Sequence, residues 1–344
     1  MKRSWMLVFF LGVMGFVNAG QHDDQSKPVL YYSDDCDIKI TPNAGPRINS
    51  DWNVFLTADF IYWTIRQDGM FYAVTGAGAN ASGGSVHDLS WDWNPGFKVG
   101  LGFNLPHDGW DVFAEYTWIQ TSPSGSKSQD ATNANMIPYW NVTGFSLANG
   151  TLVKSKADWD AHYNNVTLDL GRNAYLSQYM KLRLFAGLQA AWINQDYTAQ
   201  YDLDTGAYGK LKLGQDFWGV GLRAGLNNSF QFTKNFSFFA DLYLALLWGK
   251  FDLDRRDTVT GVDRVTTETL KTHVKPWTEE PVADIAAGFR YDGWFAEDRF
   301  HFLLQAGWEH QLWILHNEVI KATEPDHAGD LLLQGLTVKA RLDF

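Results

Sequence analysis

From Leu336 to its last residue the chain alternates without a break: Leu336, Val338, Ala340, Leu342 and Phe344 are apolar, and Thr337, Lys339, Arg341 and Asp343 between them are polar. Successive side chains of a strand point to opposite faces, so this pattern predicts a strand with one oily and one charged face. The same period recurs upstream. Val54, Leu56, Ala58, Phe60 and Tyr62 oppose Thr57 and Asp59; Trp91, Trp93 and Phe97 to Phe103 oppose Asp92 and Lys98; Trp110 to Trp118 oppose Asp111, Phe113, Glu115 and Thr117. Val166, Leu168 and Leu170 oppose Thr167 and Asp169, Leu182 to Trp192 oppose Lys181 and Arg183, and Trp218 to Leu226 oppose Arg223. Phe236 to Trp248, Ile285 to Tyr291 and Phe300 to Trp308 carry the apolar faces of three more, opposite Asp241, Asp284, Arg290, Arg299 and Glu309.

About ten long strands result, and the links between them alternate in length. Short links fall at 105–109, 173–180, 231–235 and 292–298, while polar stretches at 76–85, 120–158, 202–209, 252–271 and 316–330 read as longer loops. An all-β, transmembrane, antiparallel up-and-down barrel, with short periplasmic turns and long extracellular loops, has this pattern. A soluble sandwich has no reason to sort its loops that way. Composition agrees: 45% of residues are hydrophobic and 16 are Trp, yet mean hydropathy is −0.25 and no run past the N-terminus is long enough for a membrane helix. Met1-Lys2-Arg3, the apolar run Trp5 to Val17 and Val17-Asn18-Ala19 form the three regions of a secretory signal cut after Ala19. Residues 20–50, with three prolines, are expected to be a flexible periplasmic lead-in, and 51–344 the barrel.

Charge then narrows the function. A net charge of −11 leaves nothing basic to neutralise phosphates, which excludes nucleic acid. The inward faces gather Lys98, Glu115, Asp169, Lys181, Arg183, Arg223, Asp241, Asp284, Arg290, Arg299, Glu309, Lys339 and Arg341 as candidate pore-lining residues. The alternative is an internal ion-pair network, because eight strands leave an interior just filled by side chains and ten add little room. A barrel of 12–16 strands, with some hidden in the loops, would be wider. Gly76 to Ala81 brushes against a dinucleotide fingerprint but opens no βαβ unit. His87-Asp88 near a loop rim would be the place for a rim-active protease, although no carboxylate partners are identifiable. His301, His310, His316 and His327 lack metal-ligand spacing, so neither a metal nor a cofactor is expected. Cys36, the lone cysteine, has no intramolecular partner.

Several segments resemble one family, the pore-forming outer-membrane proteins of the Legionella type, described as major-outer-membrane-protein-like. They are Ala58 to Trp63, Pro95 to Gly102 followed by Asp108 to Val112, Phe217 to Gly221, Gly307 to Gln311, and Gly329 to Phe344. Leu184 and Leu222 depart from it, standing where Pro is expected. The resemblance implies a porin-like pore for ions and small polar solutes, non-enzymatic, in the bacterial outer membrane. For Cys36 it offers an intermolecular disulfide, as in cross-linked envelopes; the equal alternative is an unpaired thiol in the flexible lead-in. Leu336, Val338, Ala340, Leu342 and Phe344 resemble the closing strand of outer-membrane barrels, the signal read by the barrel-assembly machinery. Lipid and transported solutes are the expected partners; porins are often trimers, but the sequence carries no interface signal from which to claim a homo-oligomer. A second function class is a structural or adhesive barrel with a plugged lumen, its loops meeting the host or the environment.

Overall fold

The computed structural model describes residues 42–46, 53–76, 83–106, 108–133, 135–297, 299–318 and 329–344. The signal segment, Cys36 and His327 lie outside them. Fifteen strands follow in chain order: β1 Val54–Gln67, β2 Ala73–Thr75, β3 Ser85–His87, β4 Trp93–Asn104, β5 Trp110–Thr121, β6 Ser124–Ser128, β7 Met136–Pro138, β8 Leu152–Tyr175, β9 Met180–Leu203, β10 Tyr208–Gln231, β11 Phe236–Thr260, β12 Thr266–Val274, β13 Trp277–Phe295, β14 Phe300–Trp313 and β15 Leu331–Asp343.

Ten of these close an antiparallel ring in the order β1, β4, β5, β8, β9, β10, β11, β13, β14, β15, so the wider alternative of 12–16 wall strands does not apply. The seam is the pairing of β1 with β15, where Ala58 faces Ala340 and Leu56 faces Leu342. Val54 and Phe344 exchange backbone hydrogen bonds of 3.1 and 2.9 Å at its end. The predicted parity holds around the ring. Leu56, Phe60, Val99, Leu168, Leu188, Leu222, Leu244 and Leu336 are exposed outward, while Thr57, Asp59, Asp111, Asp169 and Glu309 are buried inward. Leu184 and Leu222, the two departures from the family pattern, both sit on the outer face, Leu184 near the start of β9 and Leu222 within β10.

The outer face defines a membrane belt. At the long-loop end Trp93 packs against Trp308 at 5.6 Å, Trp218 against Trp277 at 5.9 Å, and Trp248 stacks on Trp277 at 4.5 Å. At the short-turn end Phe236 meets Tyr291 and Phe232 meets Phe289. Aromatic rings at two heights mark the two interfaces of a membrane. Four wall strands, β8 to β11, are 24 or 25 residues long and continue beyond the tryptophans; the ten residues from Tyr208 to Phe217 add roughly 25 Å.

The expected loops are shortened accordingly. Residues 152–158 of the expected loop 120–158 belong to β8, and 252–260 and 266–271 of the expected loop 252–271 form the β11–β12 hairpin. The loop expected at 202–209 is a four-residue turn, 204–207, at the tip of β9 and β10. Beyond the belt the outer face is wet, so Asp158, Asp160, Asp196 and Asp216 point outward while Trp159, Ala161, Tyr197 and Phe217 point inward. Trp91, expected in the second strand, instead packs edge-on to Trp159 at 5.5 Å. Of the lead-in, residues 42–46 are tied to the short-turn rim: Tyr175 N donates to Pro42 O at 2.9 Å and Ala44 N to Asn173 O at 3.2 Å.

Candidate functional site

The interior divides into two tiers. In the half nearer the short turns it is polar, with a cavity of about 300 Å³ lined by Lys98, Glu115, Asp169, Lys181, Arg183, Arg223, Asp241, Asp284, Arg290, Glu309, Lys339 and Arg341. The alternation of the wall strands brings these twelve expected residues together. Arg299 is the exception: it stands in the turn before β14 and is exposed, because the strand begins one residue later.

Most charges in this tier are paired, within one strand or between strands of the ring. Lys98 bonds Glu309 and lies 4.8 Å from the Trp63 ring centre. Lys339 reaches Glu115 at 3.0 Å and Asp59 at 3.3 Å. Arg183 holds Asp111 at 2.6 Å, Arg341 holds Asp343 at 2.5 Å, and Arg223 stands 3.6 Å from Asp169. Arg341 and Arg223 also lie over the rings of Phe55 and Tyr243, at 3.6 and 4.2 Å. Asp111 and Asp343 complete the network although the sequence does not single them out; their inward parity is the signal that finds them.

Above this tier the lumen is crossed. Tyr163 Oη on β8 donates to Gln311 Oε1 on β14 at 2.7 Å, and these strands are five places apart in the ring of ten, which is diametrically opposite. Trp313 Nε1 donates to the same oxygen at 3.2 Å, while Gln311 Nε2 donates to Asp284 at 3.3 Å and to the Tyr243 hydroxyl. Beyond Gln311 the interior is mainly aromatic and aliphatic: Trp313, Phe217, Phe251, Ile193, Trp159 and Tyr197 belong to one buried cluster, with Gln195, Gln215 and Glu280 among the polar side chains buried beside it and Glu280 Oε2 3.4 Å from His316 Nδ1. Trp313 meets Tyr163 at 6.0 Å and Phe217 at 6.1 Å, edge to face. His316 follows β14 into this cluster, fully buried against Phe217, Phe251 and Trp313.

Two loops complete the closure at the long-loop end. β2, β3 and β7 form a small sheet, and Met70, Tyr72, Ala73, Leu89, Met136 and Trp140 beside it join the buried cluster. They are tied to the inner wall: Tyr197 Oη and Trp140 Nε1 donate to Phe71 O at 3.1 and 2.8 Å, and Ser155 Oγ to Tyr72 O at 3.2 Å.

The His87 and Asp88 side chains serve this loop structure. His87 Nε2 pairs with Thr75 Oγ1 at 2.8 Å, and Asp88 accepts from Leu89 N and Trp91 Nε1 at 2.7 and 3.0 Å. Burial, and then the nearby Lys127 charge, hold the His87 imidazole below its ordinary pKa. Among the described residues one group has the makings of a metal ligand set, Asp252, Asp254 and His273, on the outer face of β11 and β12. Its members are already engaged, His273 with Asp254 at 2.9 Å and Asp252 with Lys275 at 2.5 Å.

The sequence model of the family described as Legionella pneumophila major outer membrane protein precursor matches residues 44–344. No curated protein matches. Among solved structures, the chain is similar to the outer membrane protease OmpT from Escherichia coli, at 11% identity over 85% of this chain and 96% of that one, with a TM-score of 0.36. It is also similar to the outer membrane protein OprG from Pseudomonas aeruginosa, at 13% identity over 85% and 99% of the two chains and a TM-score of 0.29. The CymD monoaromatic hydrocarbon channel aligns at 10% identity over 89% and 95%, with a TM-score of 0.31.

Proposed function

Since the chain belongs to the Legionella-type major outer membrane protein family, we propose that it is a non-enzymatic outer-membrane barrel, sealed at rest, that serves the envelope as a structural and surface-presenting element. The observation that carries this reading is the Tyr163–Gln311 hydrogen bond across the lumen at 2.7 Å, with an apolar tier stacked on it. A hydrated ion would have to displace buried aromatic side chains there and lose its water in an apolar surrounding, which costs several kcal/mol per charge. The extended strands and tied-down loops outside the belt form a rigid surface suited to contact with the environment. Lipid meets the belt, and the barrel-assembly machinery reads the amphipathic closing strand.

A second reading, the porin-like pore for ions and small polar solutes, is favoured by the cavity itself, whose fixed charges would set ion preference once the upper tier moved. Swelling of liposomes carrying the folded protein separates the two. The sealed barrel predicts no swelling rate above empty vesicles in iso-osmotic arabinose or glycine, and swelling that falls with solute size supports the pore.

A further inference from the structure

The polar cavity holds charges that the barrel's own network does not use. Among the described residues, no carboxylate lies within ion-pair distance of Lys181 or of Arg290. Arg290 donates from Nε and Nη2 to the neutral Gln305, at 3.1 and 2.8 Å, and the Lys181 ammonium lies 5.7 Å from the Tyr175 ring; the charge both feel is that of Asp292, which also lines the cavity and is itself held by His301 at 3.2 Å. Asp241 forms no ion pair: Asn227 bonds its carboxylate and Arg290 acts on it only through its field, and its Oδ1 is buried without a hydrogen-bond partner. Asp59 and Asp169, each 4% exposed, also line the cavity and each leave one carboxylate oxygen unmatched. Buried polar groups normally find partners, so orphaned acceptors facing a cavity point to something that donates to them.

The registers order these charges along the wall strands. Asn227 pairs with both Arg183 and Asp241, which puts Asp241 in register with Arg183 across β10. Lys181, opposite Ser229, is one inward-facing position nearer the short-turn rim, and Arg290, opposite Ser237, is two positions nearer. The offsets along the strands are roughly 7 and 14 Å, shortened by the reach of the Lys and Arg side chains. Free acceptors thus lie deep, and free cations lie towards the mouth. An anion alone would leave the deep carboxylates unmatched, and a cation alone would have to pass Lys181 and Arg290.

We infer that this cavity is a binding site for a small zwitterion, of the size of a free amino acid or a dipeptide, with its ammonium on Asp241 and its carboxylate between Lys181 and Arg290. At about 300 Å³ the space is at the lower end of ligand pockets. The inference rests on the sealed-lumen reading in one respect: the ligand enters and leaves from the short-turn side.

Calorimetric titration of the folded chain in detergent micelles tests it with three probes. They are alanylalanine, its N-acetyl form, which keeps only the carboxylate, and its C-terminal amide, which keeps only the ammonium. Alanylalanine is expected to bind at least tenfold more tightly than either capped form. Asp241→Asn should remove that advantage over the N-acetyl form, and Lys181→Met the advantage over the amide. Equal affinities for the three probes, or no saturable heat with alanylalanine, would overturn the inference, and this comparison on the wild-type chain does not depend on any variant folding. Planar-bilayer recording on the same preparation separates the two proposals. Conductance together with selective alanylalanine binding contradicts the sealed lumen alone, whereas silence without binding contradicts the zwitterion site alone.

Discussion

Lys98 shows how charge is carried inside this wall. Its ammonium is bonded to Glu309, whose second oxygen accepts from Thr337 Oγ1 at 2.9 Å, and that hydroxyl oxygen accepts from Trp63 Nε1 at 3.1 Å. Both ions are largely buried, so removing one partner leaves the other uncompensated, a loss of about 3–5 kcal/mol. Glu309→Leu is therefore expected to lower unfolding stability in micelles by that amount. Lys98→Met combined with Glu309→Leu should recover most of it; urea titration of all three proteins checks the pattern, and a double variant weaker than either single one would refute it. His87 gives a pH dependence outside the belt. Its folded pKa is depressed, so the opened loop takes up a proton before the folded one does. The stability of the β2–β3 hairpin is then full above the unfolded value near 6.5 and declines as pH falls below it. Amide-exchange protection of Ala73 and His87, corrected for intrinsic rates, should drop between pH 7.5 and 5.5 in the wild type and stay level in His87→Gln.

At the scale of the element, legibility depended on which solvent the outer face meets. In the belt, Leu168, Leu188, Leu222 and Leu244 face lipid and the inner positions are polar, and there the alternation predicts the strands and their parity. Past Trp192, Trp218 and Trp248 the outer face meets water and the inner face meets the aromatic cluster, so the hydrophobic phase inverts while the backbone continues unchanged. In β8, His162, Asp160 and Asp158 point outward where Val166 and Leu168 do lower down, and Tyr163 and Trp159 point inward. A search for one phase ends each strand at the inversion, which is why the upper parts of β8 and β11 read as loops. The cavity lining was legible for the same reason: inward parity in the belt selects charged residues. Tyr163 and Gln311 were not, because a phenol and a neutral amide carry no mark of which strands end up opposite; ring closure decides that. Orientation in the membrane can be tested on exposed basic residues in two turns, Arg264 in the link between β11 and β12 and Lys234 in the short turn before β11. Trypsin applied to intact cells should cut at Arg264 and spare Lys234 until the outer membrane is permeabilised. The reverse order would invert the topology.

For the whole molecule, ten strands impose a narrow ring, and the sequence fills it twice, with ion pairs near the short turns and with aromatic rings above them. The two fillings solve different problems. The ion pairs neutralise charges that the short-turn half buries away from lipid, while the aromatic tier supplies a dry core for wall strands that stand in water beyond the membrane and would otherwise have none. Closure of the lumen follows from the second filling and is locked by the first residues below it, Tyr163, Gln311 and Tyr243. The most direct measurement is single-channel recording of the folded chain in planar bilayers, wild type beside Tyr163→Ala/Gln311→Ala. The sealed barrel predicts a silent wild type and discrete conductance steps in the double variant, whose ion preference shifts when Arg223→Gln is added. Steady steps from the wild type, unchanged by the double substitution, would contradict it.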